Sequence, residues 1–373
     1  MNHPALLALF ALAAATTAHA APRARDTGIV VGLFQPGPLN AITDVAGVTV
    51  GHVTLRRGRA LNTGITAVLP HGGNLFQDKV PAGFAVANGF GKFMGSTQVI
   101  ELGELETPVM MTNTLSVPEA AAGAVEWTLA QPGNEEVRSV NAVVGETNDG
   151  FLNDIRARRV AKDHAKAAIA TAKGGAVPEG AVGAGTGTVA FGFKGGIGTA
   201  SRKLTPQYGG YTVGVLVQSN YGGSLTIAGV PVDKALGRES FSETTRTSAD
   251  GSVILVIATD APLSDRNLAR LADRSFIGIG RTGSPISNGS GDYAVAFSTH
   301  PDVRRTPAKR SAPAAATELP NDLMSPLFQA VTEAAEEAVL NSMFAATRTE
   351  GHRGTIEALP VDKVVPLVGG RPR

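Results

Sequence analysis

The sequence predicts a layered sandwich of the α+β or α/β class, with helices outside and sheet inside. Short β-branched runs alternate with Ala-rich stretches that carry apolar residues at helical spacing. The 45 Gly and a charged fraction of only 17% suit tight turns and close backbone approaches better than long solvated helices. A chain of 373 residues has room for two domains or one large unit. Because neither a repeat nor a linker divides it, we expect residues 21–373 to form one domain.

The predicted strands are short apolar runs, most of them with Gly, Asn or Asp close by. They are Val48–Thr54, Gly64–Val68, Val140–Val144, Gly187–Phe193, Tyr211–Gln218, Ser252–Ala258 and Tyr293–Ser298. The predicted helices lie between these strands, which is the alternation that a layered domain requires.

The helix that runs to Leu129 is predicted to start with a capping box. Ser116 would accept a main-chain N–H, and Glu119 would reach back to the start of the helix. The other helices follow from apolar residues spaced three and four apart. They are Asp154–Thr171, Ser264–Phe276 and Ser325–Ala346. Two polar stretches, Arg238–Asp250 and Pro301–Thr317, are predicted to be exposed loops.

The N-terminus is typical of a secretion signal that ends at residue 20. The apolar segment Leu6–Ala15 is followed by Thr16–Ala20, whose Ala-x-Ala ending matches a signal-peptidase site. A buried N-terminal helix is the alternative, but the apolar segment is short and polar residues follow at once. We expect a mature chain that begins at Ala21 and resides in the periplasm. No later segment has the ~18 uninterrupted apolar residues of a membrane span.

Composition and motifs exclude several classes of function. The 33 Lys and Arg balance 32 Asp and Glu, so a net charge of +1 gives no basis for binding nucleic acid. The absence of cysteine suits export and excludes disulfides and thiol chemistry. Gly183-x-Gly185-x-Gly187 precedes a strand-like run, which predicts a tight turn and not a phosphate loop. The mature histidines lack metal-ligand spacing, so we expect no metal and no other cofactor. They are His52, His71, His164, His300 and His352.

Ser252 is the candidate nucleophile. Asp250-Gly251-Ser252 leads directly into the apolar run Val253–Ile257, so a hydroxyl group stands at the first residue of a buried strand. Cleavage after Gly251 would give Ser252 a free α-amine, whose pKa of about 7.7–8.0 lets it act as the base for its own hydroxyl. The same tripeptide is also ordinary turn chemistry before a strand. The usual serine-hydrolase motifs, Gly-x-Ser-x-Gly and Ser-x-x-Lys, are absent.

Polar residues near the ends of other predicted strands are candidates for supporting this serine. Asn220 could donate its amide N–H to an oxyanion, or could simply belong to a turn. Ser290 and Asp292, just before the strand from Tyr293, could relay a proton to the Ser252 amine or form another turn. Glu146 belongs to an acidic group after a strand, which could hold a cationic substrate group or cap a helix.

Several motifs occur in order between about Leu39 and Ala346. They are Asn40–His52, Gly145–Gly150, Ser219-Asn220, Asp250–Ser252 with Ala258–Leu263, and Arg281–Gly283 with Asn288–Gly291. In combination they resemble the β-peptidyl aminopeptidase and D-stereospecific aminopeptidase (DmpA/BapA) family. The resemblance implies a four-layer αββα fold, similar in shape to N-terminal-nucleophile hydrolases but differently connected. It also implies self-cleavage into an α chain, 21–251, and a β chain, 252–373, which assemble as a homo-oligomer of αβ units.

The resemblance also implies roles for four of the candidate residues. Ser252 matches the nucleophile that autocleavage after Gly251 exposes, and Asn220 matches the oxyanion-hole donor. Ser290 and Asp292 match the hydroxyl and the acid that support the nucleophile. Some members carry Glu at the position of Asp292, and the shorter side chain would shift that contact or admit a water.

Two further residues bear on the substrate. Glu146 matches an acidic residue near the free amine of the substrate, and Asn148 stands where D-aminopeptidase-type members carry Tyr. This difference favours the β-peptidyl branch. We therefore expect a periplasmic aminopeptidase that removes N-terminal β-amino acids from short peptides and amides through an acyl-Ser252 intermediate. The alternatives are a D-/L-aminopeptidase-esterase of the same family and, from another class, an uncleaved periplasmic binding protein.

Overall fold

The computed structural model describes residues 22–238 and 251–369. The predicted signal peptide, 1–20, and residues 239–250 of the predicted loop before Ser252 lie outside the described residues. The strands are β1 Thr49–Arg57, β2 Leu61–Leu69, β3 Val80–Gly89, β4 Phe93–Met94, β5 Glu104–Leu105, β6 Val109–Asn113, β7 Val143–Thr147, β8 Val189–Ala190, β9 Phe193–Lys194, β10 Gly196–Lys203, β11 Thr212–Asn220, β12 Thr226–Ile227, β13 Val230–Pro231, β14 Ser252–Thr259, β15 Gly291–Ser298, β16 Thr349–Glu350 and β17 Thr355–Ile356. The α-helices are α1 Ser96–Leu102, α2 Val117–Leu129, α3 Lys162–Ala170, α4 Val232–Ala235, α5 Asp265–Arg281, α6 Pro307–Arg310, α7 Ser325–Phe344 and α8 Val361–Val368.

Two mixed sheets form the centre of the molecule. The larger sheet has the order β10-β11-β14-β15-β3-β5, in which β14 and β15 run parallel and the other neighbours are antiparallel. The smaller sheet has the order β1-β2-β6-β7-β4, with β6 and β7 parallel. The sheets pack face to face, so that Val50 and Val68 share a buried core with Ile254 and Val256.

Helices cover the outer face of each sheet. α5 and α7 pack on the larger sheet, while α2 and α3 pack on the smaller one. The resulting four layers, αββα, confirm the predicted fold. Because both of its faces are covered, β14 is buried along its whole length, which explains why Ser252–Ala258 reads as a continuous apolar run.

The central elements match their predictions. Tyr211–Gln218 and Tyr293–Ser298 correspond to β11 and β15, the two neighbours of β14. α5 starts where predicted, with the Ser264 side chain accepting the Asn267 N–H. Pro301–Thr317 is mostly exposed, as expected of a surface segment. Gly183-x-Gly185-x-Gly187 contains a 3-10 turn and no phosphate loop.

The prediction of one strand over Gly187–Phe193 is wrong. Here the two-residue strands β8 and β9 pair around a turn at Phe191 and Gly192, where φ is +52° and +71°. The long strand of this region is β10, which follows the turn.

Two helix starts also differ from the prediction. Ser116 makes no capping bond, because a 3-10 turn precedes α2 and Asn113 caps that turn instead. The helix predicted over Asp154–Thr171 is confined to α3, because a short 3-10 turn ends at Arg158 in the left-handed region, with φ +46°.

Candidate active site

Ser252 opens β14 in the middle of the larger sheet. It pairs with Asn220 of β11 on one side and with Gly291 of β15 on the other, and it is 5% exposed. Its Oγ donates to the Gly251 carbonyl oxygen at 2.6 Å, and the Gly291 N–H donates to the same oxygen at 3.2 Å. A main-chain N–H therefore already polarises the carbonyl group that precedes the candidate nucleophile.

Gly251 is confined by its neighbours. A Cβ atom at this position would overlap the main chain of Asn220 and Tyr221. Overlap with main chain cannot be relieved by rotating a side chain. A glycine is therefore required for the chain to enter β14 at this place.

Asn220 has a fixed amide orientation. Its Oδ1 accepts the Val189 N–H at 2.9 Å, and its Nδ2 donates to the Asn148 carbonyl oxygen at 3.1 Å. Because a main-chain N–H only donates and a carbonyl oxygen only accepts, the reversed amide would lose both bonds. Nδ2 carries a second N–H that can donate to a charge developing on a bound carbonyl group.

Ser290 and Asp292 lie on either side of Gly291, the residue of β15 that pairs with Ser252. The Ser290 hydroxyl donates to Asp292 Oδ1 at 2.6 Å, and Asp292 is 1% exposed. The second carboxyl oxygen, Oδ2, is buried without a hydrogen-bond partner in the part of the chain that the structure describes. Burial raises the pKa of Asp292 to about 6, so this group exchanges its proton close to neutrality.

An open cavity of about 510 Å³ brings most of the predicted residues together. It is lined by Ser252, Gly251, Asn220, Glu146 and Asn148, whereas Ser290 and Asp292 are buried and do not line it. The cavity thus contains the hydroxyl, the amide donor and a carboxylate.

Glu146 is held in place at the wall of this cavity. It is 3% exposed; its Oε1 accepts the Lys92 N–H at 3.0 Å, and its Oε2 accepts the Thr114 hydroxyl. Burial raises the pKa of Glu146, against the opposing effects of Thr114 and Lys92. Lys92 and Thr114 were not predicted from the sequence, since they lie in connecting segments without a motif. The signal that could have indicated Lys92 was the turn-like sequence Asn88–Gly91 just before it.

Asn148 is exposed, and its side chain turns back on its own loop. Oδ1 accepts the Gly150 N–H at 2.9 Å, which is an Asx turn. Asn148 therefore contacts the site in two ways: its carbonyl oxygen holds Asn220, and part of the residue lines the cavity.

In residues 22–238 and 251–369, no group of three or more His, Asp or Glu side chains could hold a metal ion. In the same ranges, no helix combines the length and the apolar character needed to cross a bilayer.

An αββα sandwich that places Ser252 at the first residue of a central strand, opposite Asn220, has the architecture typical of N-terminal-nucleophile-like hydrolases. The chain belongs to Peptidase family S58, whose family model matches residues 40–357.

The relatives agree with this assignment along nearly the whole chain. The β-peptidyl aminopeptidase BapA of Sphingosinicella microcystinivorans is 43% identical, over 96% of this chain and 95% of that protein. The β-aminopeptidase of a Burkholderia species is 38% identical with a TM-score of 0.86, covering 94% of this chain and 100% of that one. The L-aminopeptidase D-Ala-esterase/amidase of Ochrobactrum anthropi, described as a variant of the Ntn hydrolase fold, is 38% identical with a TM-score of 0.84, covering 93% and 98%. The predicted family is thereby confirmed.

Proposed function

We propose that the chain is a serine aminopeptidase that cleaves itself between Gly251 and Ser252 and then removes N-terminal β-amino acids from short peptides and amides. The observation that carries this proposal is Ser252 at the first residue of β14, with Asn220 opposite and Glu146 in the same cavity. The substrate class follows the names of the related β-peptidyl aminopeptidases.

The first reaction is intramolecular. Ser252 Oγ attacks the Gly251 carbonyl carbon, the Oγ proton passes to the Ser252 nitrogen as the C–N bond between the two residues breaks, and an ester forms in its place. The Gly291 N–H, 3.2 Å from the carbonyl oxygen, stabilises the charge that develops there. Water then hydrolyses the ester, which leaves a carboxylate on Gly251 and a free α-amine on Ser252.

The second reaction uses the new α-amine as a base. Glu146 binds the ammonium group of the substrate, the Ser252 amine takes the Oγ proton, and Oγ attacks the first amide carbonyl. Asn220 donates to the oxyanion, an interaction that contributes roughly 3–4 kcal/mol in other hydrolases. The leaving amine takes the proton, and water releases the amino acid from the acyl-Ser252 ester.

Ser290 and Asp292 support both reactions in this proposal. The Ser290 hydroxyl donates to Asp292 at 2.6 Å, and we propose that it relays a proton between Ser252 and the carboxyl group. The direct bond between Asp292 and Ser290 supports this shared role.

Specificity for a D- or L-residue is the second candidate function. The Ochrobactrum relative is described as an L-aminopeptidase D-Ala-esterase/amidase, which favours this alternative. Asn148 at the cavity favours the β-peptidyl activity instead. Turnover of β-alanyl, D-alanyl and L-alanyl anilides by the processed protein distinguishes the two.

Export and assembly complete the proposal. Residues 1–20 direct the chain to the periplasm, and the α and β chains assemble as a homo-oligomer of αβ units. N-terminal sequencing of the periplasmic fraction should give Ala21, and light scattering should give a multiple of the αβ mass. A full-length N-terminus in the cytoplasm would contradict the export proposal, and the mass of a single αβ unit would contradict the assembly.

Denaturing electrophoresis with intact-mass measurement tests the main proposal. Two bands are expected, the smaller beginning at Ser252, whereas Ser252→Ala should give one band and no turnover. A single band from the unaltered protein would favour an uncleaved binding protein and would contradict self-processing.

A further inference from the structure

The cavity beside Ser252 is lined by a lysine, Lys92, next to the carboxylate of Glu146. The Lys92 Nζ atom lies 3.9 Å from Glu146 Oε1, and the Lys92 N–H binds the same oxygen at 3.0 Å. Glu146 is buried, whereas the Lys92 side chain is 58% exposed and lines the cavity. The wall that would receive the substrate amine therefore presents a fixed carboxylate and a movable ammonium group side by side.

We propose that Lys92 and Glu146 together select N-terminal β-aspartyl (isoaspartyl) residues, in which the carbon atom that bears the free ammonium group also bears a carboxylate. This inference rests on the proposed function, since a β-aspartyl residue is a β-amino acid with a carboxylate substituent. One methylene group separates its ammonium-bearing carbon from the scissile carbonyl group. Its ammonium binds Glu146, and its carboxylate binds Lys92.

The position of Lys92 assigns the carboxylate to the N-terminal residue. The main-chain N–H of Lys92 bonds Glu146 Oε1, and its Nζ lies 3.9 Å from the same oxygen, so its cation lies at the amine end of the substrate. An aminopeptidase substrate ends at that amine, so a carboxylate here must belong to the first residue. An α-linked aspartyl residue fits less well, because its carboxylate is one carbon further from the amine-bearing carbon.

Charge balance favours the β-aspartyl substrate over a neutral one. When a β-alanyl ammonium group binds Glu146, it replaces the Lys92–Glu146 ion pair, and Lys92 gains no new partner. A β-aspartyl residue exchanges one ion pair for two. The original pair is partly exposed, and such pairs contribute little stability, so the exchange costs little.

Cleavage of a β-aspartyl residue follows the mechanism proposed above for β-amino acids. Ser252 Oγ bonds to the side-chain carbonyl carbon of the β-aspartyl residue, and the isopeptide C–N bond breaks. The leaving amine takes the proton that the Ser252 amine removed from Oγ. Water hydrolyses the ester, and the products are ordinary aspartate and the shortened peptide.

The experiment compares kcat/KM for β-Asp-Leu, β-Ala-Leu and α-Asp-Leu with the fully processed protein. We expect β-Asp-Leu to exceed α-Asp-Leu. Lys92→Met should lower the ratio of β-Asp-Leu to β-Ala-Leu by about 10–100-fold, the size of a lost charge-assisted hydrogen bond, and Lys92→Arg should keep most of it. Lys162→Met is the matched control: Lys162 is 52% exposed and pairs with Glu126 at 2.5 Å, but lies on α3 away from the cavity.

The possible failures are distinguishable. Turnover of β-Ala-Leu without β-Asp-Leu, or a ratio that Lys92→Met leaves unchanged, overturns the inference and leaves the proposed function standing. No turnover of any of the three dipeptides by the processed protein overturns both. Product inhibition of the unaltered protein does not depend on the variant: aspartate should inhibit more strongly than β-alanine, and the reverse order overturns the inference.

Discussion

Asn220 and Ser252 face each other in the antiparallel pairing of β11 with β14. The proposed cleavage site lies between them in the sequence, so cleavage would leave the proposed oxyanion donor, Asn220, in the α chain and the proposed nucleophile, Ser252, in the β chain. The main-chain pairing of β11 with β14 runs from Val213 opposite Thr259 to Asn220 opposite Ser252. After cleavage, this pairing would join two separate chains. The distance between donor and nucleophile is consequently set by the sheet and not by the loop that is cut.

Gly251→Ala should slow self-processing and accumulate the full-length chain. The added Cβ overlaps the main chain of Asn220 and Tyr221, and relieving such an overlap costs about 1–3 kcal/mol and moves the carbonyl group that Ser252 must attack. The measurement is the fraction cleaved over time on denaturing gels. Gly72→Ala, where a Cβ meets no atom within 4 Å, is the control and should process normally. Normal processing of Gly251→Ala would show that the overlap is relieved elsewhere.

Asn220→Ala should lower kcat for a β-alanyl anilide by about 10²–10³-fold, since an oxyanion donor is lost. Asn220→Asp should be no better, because an ionised carboxylate cannot donate to the oxyanion and would face the Asn148 carbonyl oxygen. Asn321→Ala, at an exposed residue outside the cavity, is the control. A loss confined to KM would indicate that Asn220 binds the substrate and does not stabilise the transition state.

Asp292 should make self-processing depend on pH. The uncleaved chain has no α-amine at Ser252, so the proposed base is Asp292, acting through Ser290. Its pKa is raised to about 6, and the protonated form cannot accept a proton, so the processing rate should rise as the pH increases through about 6. Cell-free synthesis at several pH values measures this rate. Asp292→Asn should process slowly at every pH; an unchanged pH profile in this variant would assign the dependence to another group.

The same carboxyl group should make the folded chain less stable as the pH rises. Burial raises the pKa of Asp292 from its ordinary value of 3.8 to about 6, so the folded state favours the protonated carboxyl group. The stability from this preference is present below about pH 4 and is lost as the pH rises to about 6. In uncleaved Ser252→Ala, adding Asp292→Asn should raise the free energy of unfolding at pH 8 by up to about 3 kcal/mol. Equal urea midpoints at pH 8 would contradict a buried, ionised Asp292.

The sequence predicted the strands that carry the site better than the strands around them. β11, β14 and β15 are apolar and β-branched because both faces of the sheet are covered. β10 was not predicted because it begins with Gly-Ile-Gly, which is not typical of a strand. The glycine at position 198 is required because the main chain of α7 at Ala338 lies close to the sheet there. Local sequence therefore shows apolar burial, but not a helix that packs directly against a strand.

The candidate site could be predicted where its residues lie near the ends of the predicted strands, but not elsewhere. Polar residues at or next to the ends of recognisable strands are candidates for a site. Four residues could be found in this way: Ser252, Asn220, Ser290 and Asp292. Lys92 could not be found in this way, because only the pairing of β4 with β7, on the other sheet, places its segment against the strand that carries Glu146.

Arg202→Met should destabilise the protein strongly. Arg202 is fully buried on β10, and its guanidinium group contacts Glu333 at 3.1 Å and Glu337 at 2.7 Å, both on α7. Removing Arg202 takes the ion-pair partner from the buried Glu333, whereas Glu337 keeps Arg25 at 2.7 Å; a buried charge left uncompensated typically costs about 3–5 kcal/mol. Because β10 precedes the proposed cleavage site and α7 follows it, the variant should also let the two chains separate at lower urea concentration.

Two measurements check this last prediction. Urea unfolding followed by circular dichroism gives the stability, and size exclusion in urea shows whether the chains part. Arg348→Met is the control: Arg348 pairs with Glu350 at 2.9 Å, but both side chains are about half exposed, so no measurable change is expected. If Arg202→Met unfolds at the urea concentration of the unaltered protein, the ion pairs between β10 and α7 do not hold the chains together.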